Sequence, residues 1–428
     1  MQSADHETYN QPVSDESLYP RFAENGVLEA LADSPVVLLR GPRQCGKTTL
    51  ARLVGDARGY TYLTFDDDVS RVAAGSDPAG FVDGLPGRVI LDEIQRVPEI
   101  FTAIKAAVDR ARTPGRFLLT GSANVLLVPA LADSLAGRMD ILRLFPFAQA
   151  ELARSPSGFI EALFGAAFKT RRTDRLAEAL TQRVVAGGYP AALARQQPRR
   201  RAAWYRDYLD AIVQRDVRDM ARISALDALP RLLSLVAGQT ARLLNVSDLS
   251  APFSVSRPTI REYVTLLERV FLVEELPPWH TNRLSRLVKT PKVHIGDTGL
   301  ACALLGVDAT VLTADRELFG QLLETFVYQE LRRQASWQPD PLSFFHYRDR
   351  DDFEVDIVIE RGARHLAGIE VKASATVRES DFRGLRKLRD AAGSRFTCGV
   401  VLYDGELATA FGDRLFAVPV RRLWETPA

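Results

Sequence analysis

Eight consecutive residues, Gly41-Pro42-Arg43-Gln44-Cys45-Gly46-Lys47-Thr48, restrict this chain more than any other stretch. They follow the apolar run Val36-Val37-Leu38-Leu39 and precede a helix-compatible sequence that opens with Thr49. They therefore read as the loop between a strand and a helix. Two glycines let main-chain N–H groups turn toward one anion, and the start of the helix favours negative charge. In that frame Lys47 reaches the β- and γ-phosphates of ATP, and the Thr48 hydroxyl is placed to ligate Mg²⁺. Gly41 to Thr49 are the expected ATP cradle.

Two further strand ends belong to the same expected site. Arg88-Val89-Ile90-Leu91 runs into Asp92-Glu93, at the carboxyl end where a parallel sheet presents its ligands. Asp92 is expected to hold Mg²⁺, and Glu93 to orient and deprotonate the attacking water, because phosphoryl transfer needs positioning and charge neutralisation. Arg116 to Thr120 runs into Gly121-Ser122-Ala123-Asn124, where Ser122 or Asn124 suits a sensor of the terminal phosphate, or Ser122 simply caps a turn. Arg138 suits either an arginine finger on a neighbouring subunit's ATP, which implies a homo-oligomer, or a surface ion pair.

A chain of 428 residues is long enough for two to four domains. Lys plus Arg (55) balance Asp plus Glu (54), so the overall charge gives no argument for a nucleic-acid partner, and any such argument must be local. No apolar stretch approaches the roughly 20 residues that cross a bilayer, and the start of the chain lacks the order of a secretory signal. Three widely spaced cysteines, Cys45, Cys302 and Cys398, fit a reducing compartment. A cytoplasmic protein with no membrane partner is expected.

Residues 1–18 are polar and aperiodic and are expected to be disordered. Residues 19–148 alternate apolar strands with helical patterns, the rhythm of a parallel sheet flanked by helices. Asp66-Asp67-Asp68 reads as a helix start or a loop near the cleft. Residues 149–238 read as a helical lid and connector, with an apolar stripe at Tyr205, Tyr208, Leu209, Ile212 and Val213. Its basic start, from Arg195 to Arg206, suits a solvated helix face or phosphate contacts. Residues 239–312 show helix, turn, helix and β-wing, a winged helix. Arg257, Thr259, Arg261 and Tyr263 then lie where a DNA reader places its contacts, unless the module only packs against protein.

Residues 313–428 read as a helix carrying Glu324, a strand over Leu342 to Arg348, a strand holding Asp356, a strand holding Glu370-Val371-Lys372, a helix and a last strand. One upstream acid, a strand Asp and a Glu-x-Lys form the constellation of the PD-(D/E)XK nucleases, which this part resembles. Glu324, Asp356 and Glu370, with Glu354 as a further ligand, are expected to share Mg²⁺ or Mn²⁺. Lys372, on the same strand face as Glu370, is expected to stabilise charge on a phosphate. The plainer reading is a surface ion pair between Glu370 and Lys372.

The motifs together, with Leu135-Ala136-Gly137-Arg138 and Gly296-Asp297-Thr298-Gly299-Leu300, resemble the prokaryotic AAA-type ATPases that carry a C-terminal domain of unknown function 4143. The resemblance spans nearly the whole chain after the first 20 residues. It implies an α/β P-loop sheet with a helical lid, followed by a winged helix and a restriction-endonuclease-like α/β domain. Two functions follow as expectations: an Mg²⁺-dependent ATPase whose nucleotide state controls a C-terminal module acting on DNA, or an ATP-driven switch whose inactive nuclease-like domain binds a protein partner. A stand-alone small-molecule kinase fits the glycine loop but neither the acid pair nor the long extension.

Overall fold

The computed structural model describes residues 18–122, 135, 137–217, 228–253, 255–282, 286 and 290–425. The tail expectation for residues 1–17 and the sensor role of Asn124 lie outside them. Five parallel strands, β1 (Val36–Arg40), β2 (Thr61–Thr64), β3 (Val89–Asp92), β4 (Phe117–Gly121) and β5 (Met139–Arg143), form one sheet in the order β2-β3-β4-β1-β5. Strand side chains alternate between faces. Val36 and Leu38 accordingly pack with Phe101, Ile104 and Val108 of the Ile100–Arg110 helix, while Val37 and Leu39 pack with Leu50 and Val54 of the Lys47–Asp56 helix. Burial on both faces explains why the central strands are continuous apolar runs. Because β4 lies between β1 and β3, the loops leaving all three strands converge at one edge. Asp67 begins a helix: its side chain accepts from Ser70 N at 2.8 Å and caps Asp68–Ser76.

Residues 149–217 are mainly helical, and the stripe from Tyr205 to Val213 is buried as its spacing requires. One short strand, β6 (Arg171–Arg172), interrupts the helices. The Ala228–Gly238 helix is followed by β7 (Arg242–Leu243), the short Val246–Ser250 helix, the Arg257–Arg269 helix, β8 (Val273–Leu276) and β9 (Lys292–Ile295). The three strands form an antiparallel sheet in the order β7-β9-β8. Asn245 and Ser256 cap the two helices. Two of the expected DNA-contacting residues are committed elsewhere: Tyr263 is buried in the core, and Arg261 forks onto Glu275 of β8. Helical periodicity explains Tyr263, which shares a face with Ile260 and Leu267.

The 20-residue Arg316–Ala335 helix leads into β10 (Leu342–Arg348), β11 (Glu354–Arg361), β12 (His365–Lys372), the Arg383–Ala392 helix, β13 (Phe396–Tyr403), β14 (Leu407–Ala410) and β15 (Leu415–Pro419). These strands and β6 make a seven-stranded sheet ordered β10-β11-β12-β13-β15-β14-β6. One apolar core runs from Phe159 and Tyr205 through Leu233 and Val264 to Phe326 and Ile369. It crosses the boundaries expected at 238 and 312, and the modules pack as one body.

Candidate nucleotide site and carboxylate cluster

The phosphate loop has the backbone that its glycines allow. Gly46 sits at φ +101°, where an L side chain is strained, and a Cβ on Gly41 would lie 2.1 Å from the Leu144 carbonyl oxygen. Lys47 is buried, and its Nζ donates to the carbonyls of Gly41 at 3.0 Å and Pro42 at 2.9 Å. Thr48 Oγ1 lies 3.0 and 3.1 Å from the two carboxylate oxygens of Asp92. Asp92 also accepts from Tyr62 Oη at 2.8 Å and from the Thr120 hydroxyl. Burial, reinforced by Asp92, pushes the Tyr62 phenol well above its ordinary range, so it remains a donor.

Glu93 leaves β3 with φ 56°, a left-handed conformation uncommon for a residue with a side chain. Its carboxylate accepts from Ser122 Oγ at 2.8 Å and from Gln95 Nε2, and Gln95 in turn reaches Ser122 Oγ at 2.9 Å. Burial works against its charge. The Lys47 ammonium, the donors Ser122 and Gln95, and Arg43 outweigh that penalty and hold Glu93 below the usual carboxylate range. Ser122, expected as a phosphate sensor, thus meets Glu93. Arg138 lies at the opposite end of the sheet, paired with Asp109 at 2.6 Å. Since Met139 is level with Val36, the length of β1, about 15 Å, separates it from its own phosphate loop.

Two groups that sequence reasoning missed surround this site. Arg21 donates to the carbonyls of Cys45 at 2.7 Å and Phe145 at 2.6 Å, and pairs with Glu151 at 3.1 Å. Nothing in local spacing singles it out. The second group begins at Arg40, the residue before Gly41. Burial, then the charges of Arg143 and Arg332, lower its pKa. Arg143 and Arg332 flank the buried Glu274 of β8, Arg143 by a direct ion pair and Arg332 at 3.8 Å. These residues line a cavity of about 190 Å³ between the ATPase sheet and the downstream modules.

The C-terminal acids do come together. Ile357 pairs with Ile369, which sets Asp356 beside Glu370, and Asp356 Oδ2 accepts from Val371 N at 2.9 Å. Lys292, from β9, fills the cluster. Its Nζ lies 2.6 Å from Glu354, 2.8 Å from Glu324 and 3.3 Å from Asp356. Glu370 pairs with Lys372 at 2.8 Å. Burial and the Asp356 charge push Glu370 up to about 8, against the pull of Lys372.

Among the described residues no group of three or more His, Cys, Asp or Glu is placed to hold a metal. The residues present do not fit the Mg²⁺ or Mn²⁺ expected on Glu324, Asp356 and Glu370, because the Lys292 ammonium already stands between Glu324 and Asp356, and one oxygen of Glu370 is taken by Lys372. The available signal was a lysine opening the apolar strand Lys292-Val293-His294-Ile295. Asp297, given no chemistry by its motif, is fully buried and accepts from Gly188 N at 2.8 Å, Gly299 N at 2.9 Å and Arg333 at 2.9 Å.

Three family models match successive parts of the chain. Residues 33–153 match the AAA domain, residues 177–311 a domain of unknown function 8612, and residues 319–423 the domain of unknown function 4143. Uncharacterised proteins of Mycobacterium tuberculosis and Mycobacterium bovis are each 32% identical over 411 residues, 95% of this chain and 85% of theirs. An uncharacterised protein of Methanocaldococcus jannaschii is 22% identical over 327 residues, 74% of this chain and 69% of its own. A Walker-type ATPase of Pyrococcus abyssi is 15% identical, with 69% of this chain and 99% of that chain covered and a TM-score of 0.44. The fold and the phosphate-loop site define a P-loop-type ATPase that binds ATP. The chain belongs to the AAA-type ATPases with a C-terminal domain of unknown function 4143.

Proposed function

We propose that this ATPase hydrolyses ATP with Mg²⁺ and that its nucleotide state repositions a C-terminal module, of winged-helix and restriction-endonuclease-like architecture, on DNA. The observation that carries the coupling is the position of Arg40: it leads directly into the phosphate loop and shares a cavity with Arg143, Glu274 and Arg332. A shift of the loop on binding or losing the γ-phosphate changes the balance of three guanidinium groups around one buried carboxylate.

Thr48 and Asp92 present neighbouring oxygens that suit Mg²⁺ and would hold it; the ion would neutralise phosphate charge. Lys47 exchanges its two carbonyl partners for phosphate oxygens. Glu93, kept ionised at neutral pH, takes a proton from the attacking water, and Ser122 and Gln95 fix its orientation. Arg138 meets the ATP of a neighbouring subunit in a homo-oligomer. No helix among the described residues is long and apolar enough to cross a membrane, which suits a cytoplasmic location. Arg257 and Thr259, at the accessible start of the Arg257–Arg269 helix, are the DNA-contacting residues of this reading.

The test is turnover together with nucleotide-dependent DNA binding. Glu93→Gln should trap bound ATP and fix DNA affinity at its ATP-state value; identical DNA affinity with ATP, with ADP and without nucleotide would refute the coupling. A second reading, in which the nuclease-like domain does not cut and grips a protein partner, is favoured by Lys292 in the carboxylate cluster and by the internal commitment of Arg261 and Tyr263. Salt dependence separates the two, since phosphate contacts weaken steeply as counterions are added.

A further inference from the structure

We propose that Lys292 is the resident cation of the C-terminal carboxylate cluster: its ammonium stands where a restriction-endonuclease-like fold would hold a divalent metal, and it locks the three-stranded sheet to the seven-stranded one. The inference rests on the nuclease-like reading of the C-terminal sheet and narrows it to a metal-free, non-cleaving site.

Three observations carry it. An ammonium has three N–H donors and no acceptor, and Lys292 Nζ has three carboxylate partners, Glu324, Glu354 and Asp356. Two of them, Glu324 and Asp356, accept its hydrogen bonds, and Glu354 pairs with its charge. The partners come from two different elements, the Arg316–Ala335 helix and β11, while Lys292 itself opens β9, so the contact spans modules. Its side chain is 3% exposed, and a lysine that deep stays charged only when its partners replace the lost water.

Coordination chemistry excludes sharing. Mg²⁺ and Mn²⁺ draw carboxylate oxygens in to about 2.0–2.2 Å within an octahedron of oxygens that water completes, whereas an ammonium keeps them at hydrogen-bond distance and repels a second cation. Asp356 has one oxygen committed to Val371 N, and its other faces Lys292. Glu370 is held by Lys372. A metal enters only if Lys292 leaves, and departure would leave that ammonium buried beside His294 and His346, whose rings are both held neutral by their surroundings.

The experiment is Mn²⁺ titration of the nucleotide-free full-length chain, followed by the spectrum of free Mn²⁺ and by thermal unfolding. Wild type and Asp356→Asn should take up Mn²⁺ alike, and wild-type unfolding should not respond to the ion. Lys292→Met, which keeps the length and loses the charge, should bind Mn²⁺ at least about tenfold more tightly than wild type, gain thermal stability on adding it, and lose both effects when combined with Asp356→Asn. A wild-type Mn²⁺ site that Asp356→Asn abolishes overturns the inference while supporting the nuclease-like reading. Equal Mn²⁺ affinity of Lys292→Met and wild type also overturns it. Should Lys292→Met fail to fold, the comparison of wild type with Asp356→Asn still decides.

Discussion

Arg21 Nη1 lies 2.7 Å from the carbonyl oxygen of Cys45, so an arginine from ahead of the first helix braces the phosphate loop from behind. The same guanidinium reaches Phe145 and Glu151, which ties the loop to the end of the sheet. Charge-assisted hydrogen bonds contribute about 1.5–3 kcal/mol each. Arg21→Ala is expected to weaken ATP binding about tenfold or more by calorimetric titration. Arg21→Lys should not restore it, because one ammonium cannot span three acceptors held in a planar fork.

Lys47→Ala and Glu93→Gln should separate binding from chemistry. Removing the ammonium takes away the phosphate partner, and ATP affinity should fall. Gln at 93 keeps the size and loses the proton acceptor, so binding should persist while turnover drops about a hundredfold or more. A phosphate-release assay beside nucleotide titration reads both.

Glu274 is surrounded by Arg143 and Arg332 in a place that water barely reaches. Breaking a buried pair by removing one partner costs about 3–5 kcal/mol. Glu274→Gln should lower the urea midpoint, and a double-mutant cycle with Arg143→Met should recover part of the loss. In the same variant, ATP should still bind but no longer alter protease sensitivity of residues beyond 240.

His346 gives a pH prediction of definite sign. Burial, then the Lys292 charge, lower its pKa to about 4. Between that value and the unfolded value near 6.5, the unfolded chain holds a proton that the folded one refuses. Stability contributed by this group is therefore complete above about pH 6.5 and declines as pH falls toward 4, by up to about 3 kcal/mol. Urea unfolding at pH 7.5 and pH 5 should show a smaller acid loss in His346→Gln than in wild type.

The nucleotide site was legible because its chemistry is local. Gly41 to Thr48 sit on one turn, and Asp92-Glu93 close one strand, so neighbouring letters report neighbouring atoms. Ser122 was placed at the strand end, but its contact with Glu93 was not foreseen, since a strand end does not say which side chain it faces. Arg21 and Lys292 were missed for the opposite reason. Arg21 acts on atoms 24 to 130 residues away, and Lys292 on acids 32 and 64 residues away, and no periodicity encodes such meetings. The acids of the C-terminal sheet were found by pattern, but the cation among them was not, because it arrives from another module. Tyr263 shows the remaining weakness: a helix start was recognised, while the face it buries depends on what packs beside it.

Strand β6 places Arg172 opposite Leu407 and Arg171 opposite Ala408, with Thr173 N bonded to the Glu406 carbonyl at 2.7 Å. A ribosome making this chain delivers the ATPase sheet first and the partner of β6 almost last. The nucleotide half is therefore free to fold early, while residues 171–172 wait as an open edge until nearly all the polypeptide has emerged, a delay that long-range pairing imposes. Fragments ending near residue 312 should consequently be prone to aggregate, and full-length product should depend on chaperones during synthesis more than an isolated ATPase sheet would.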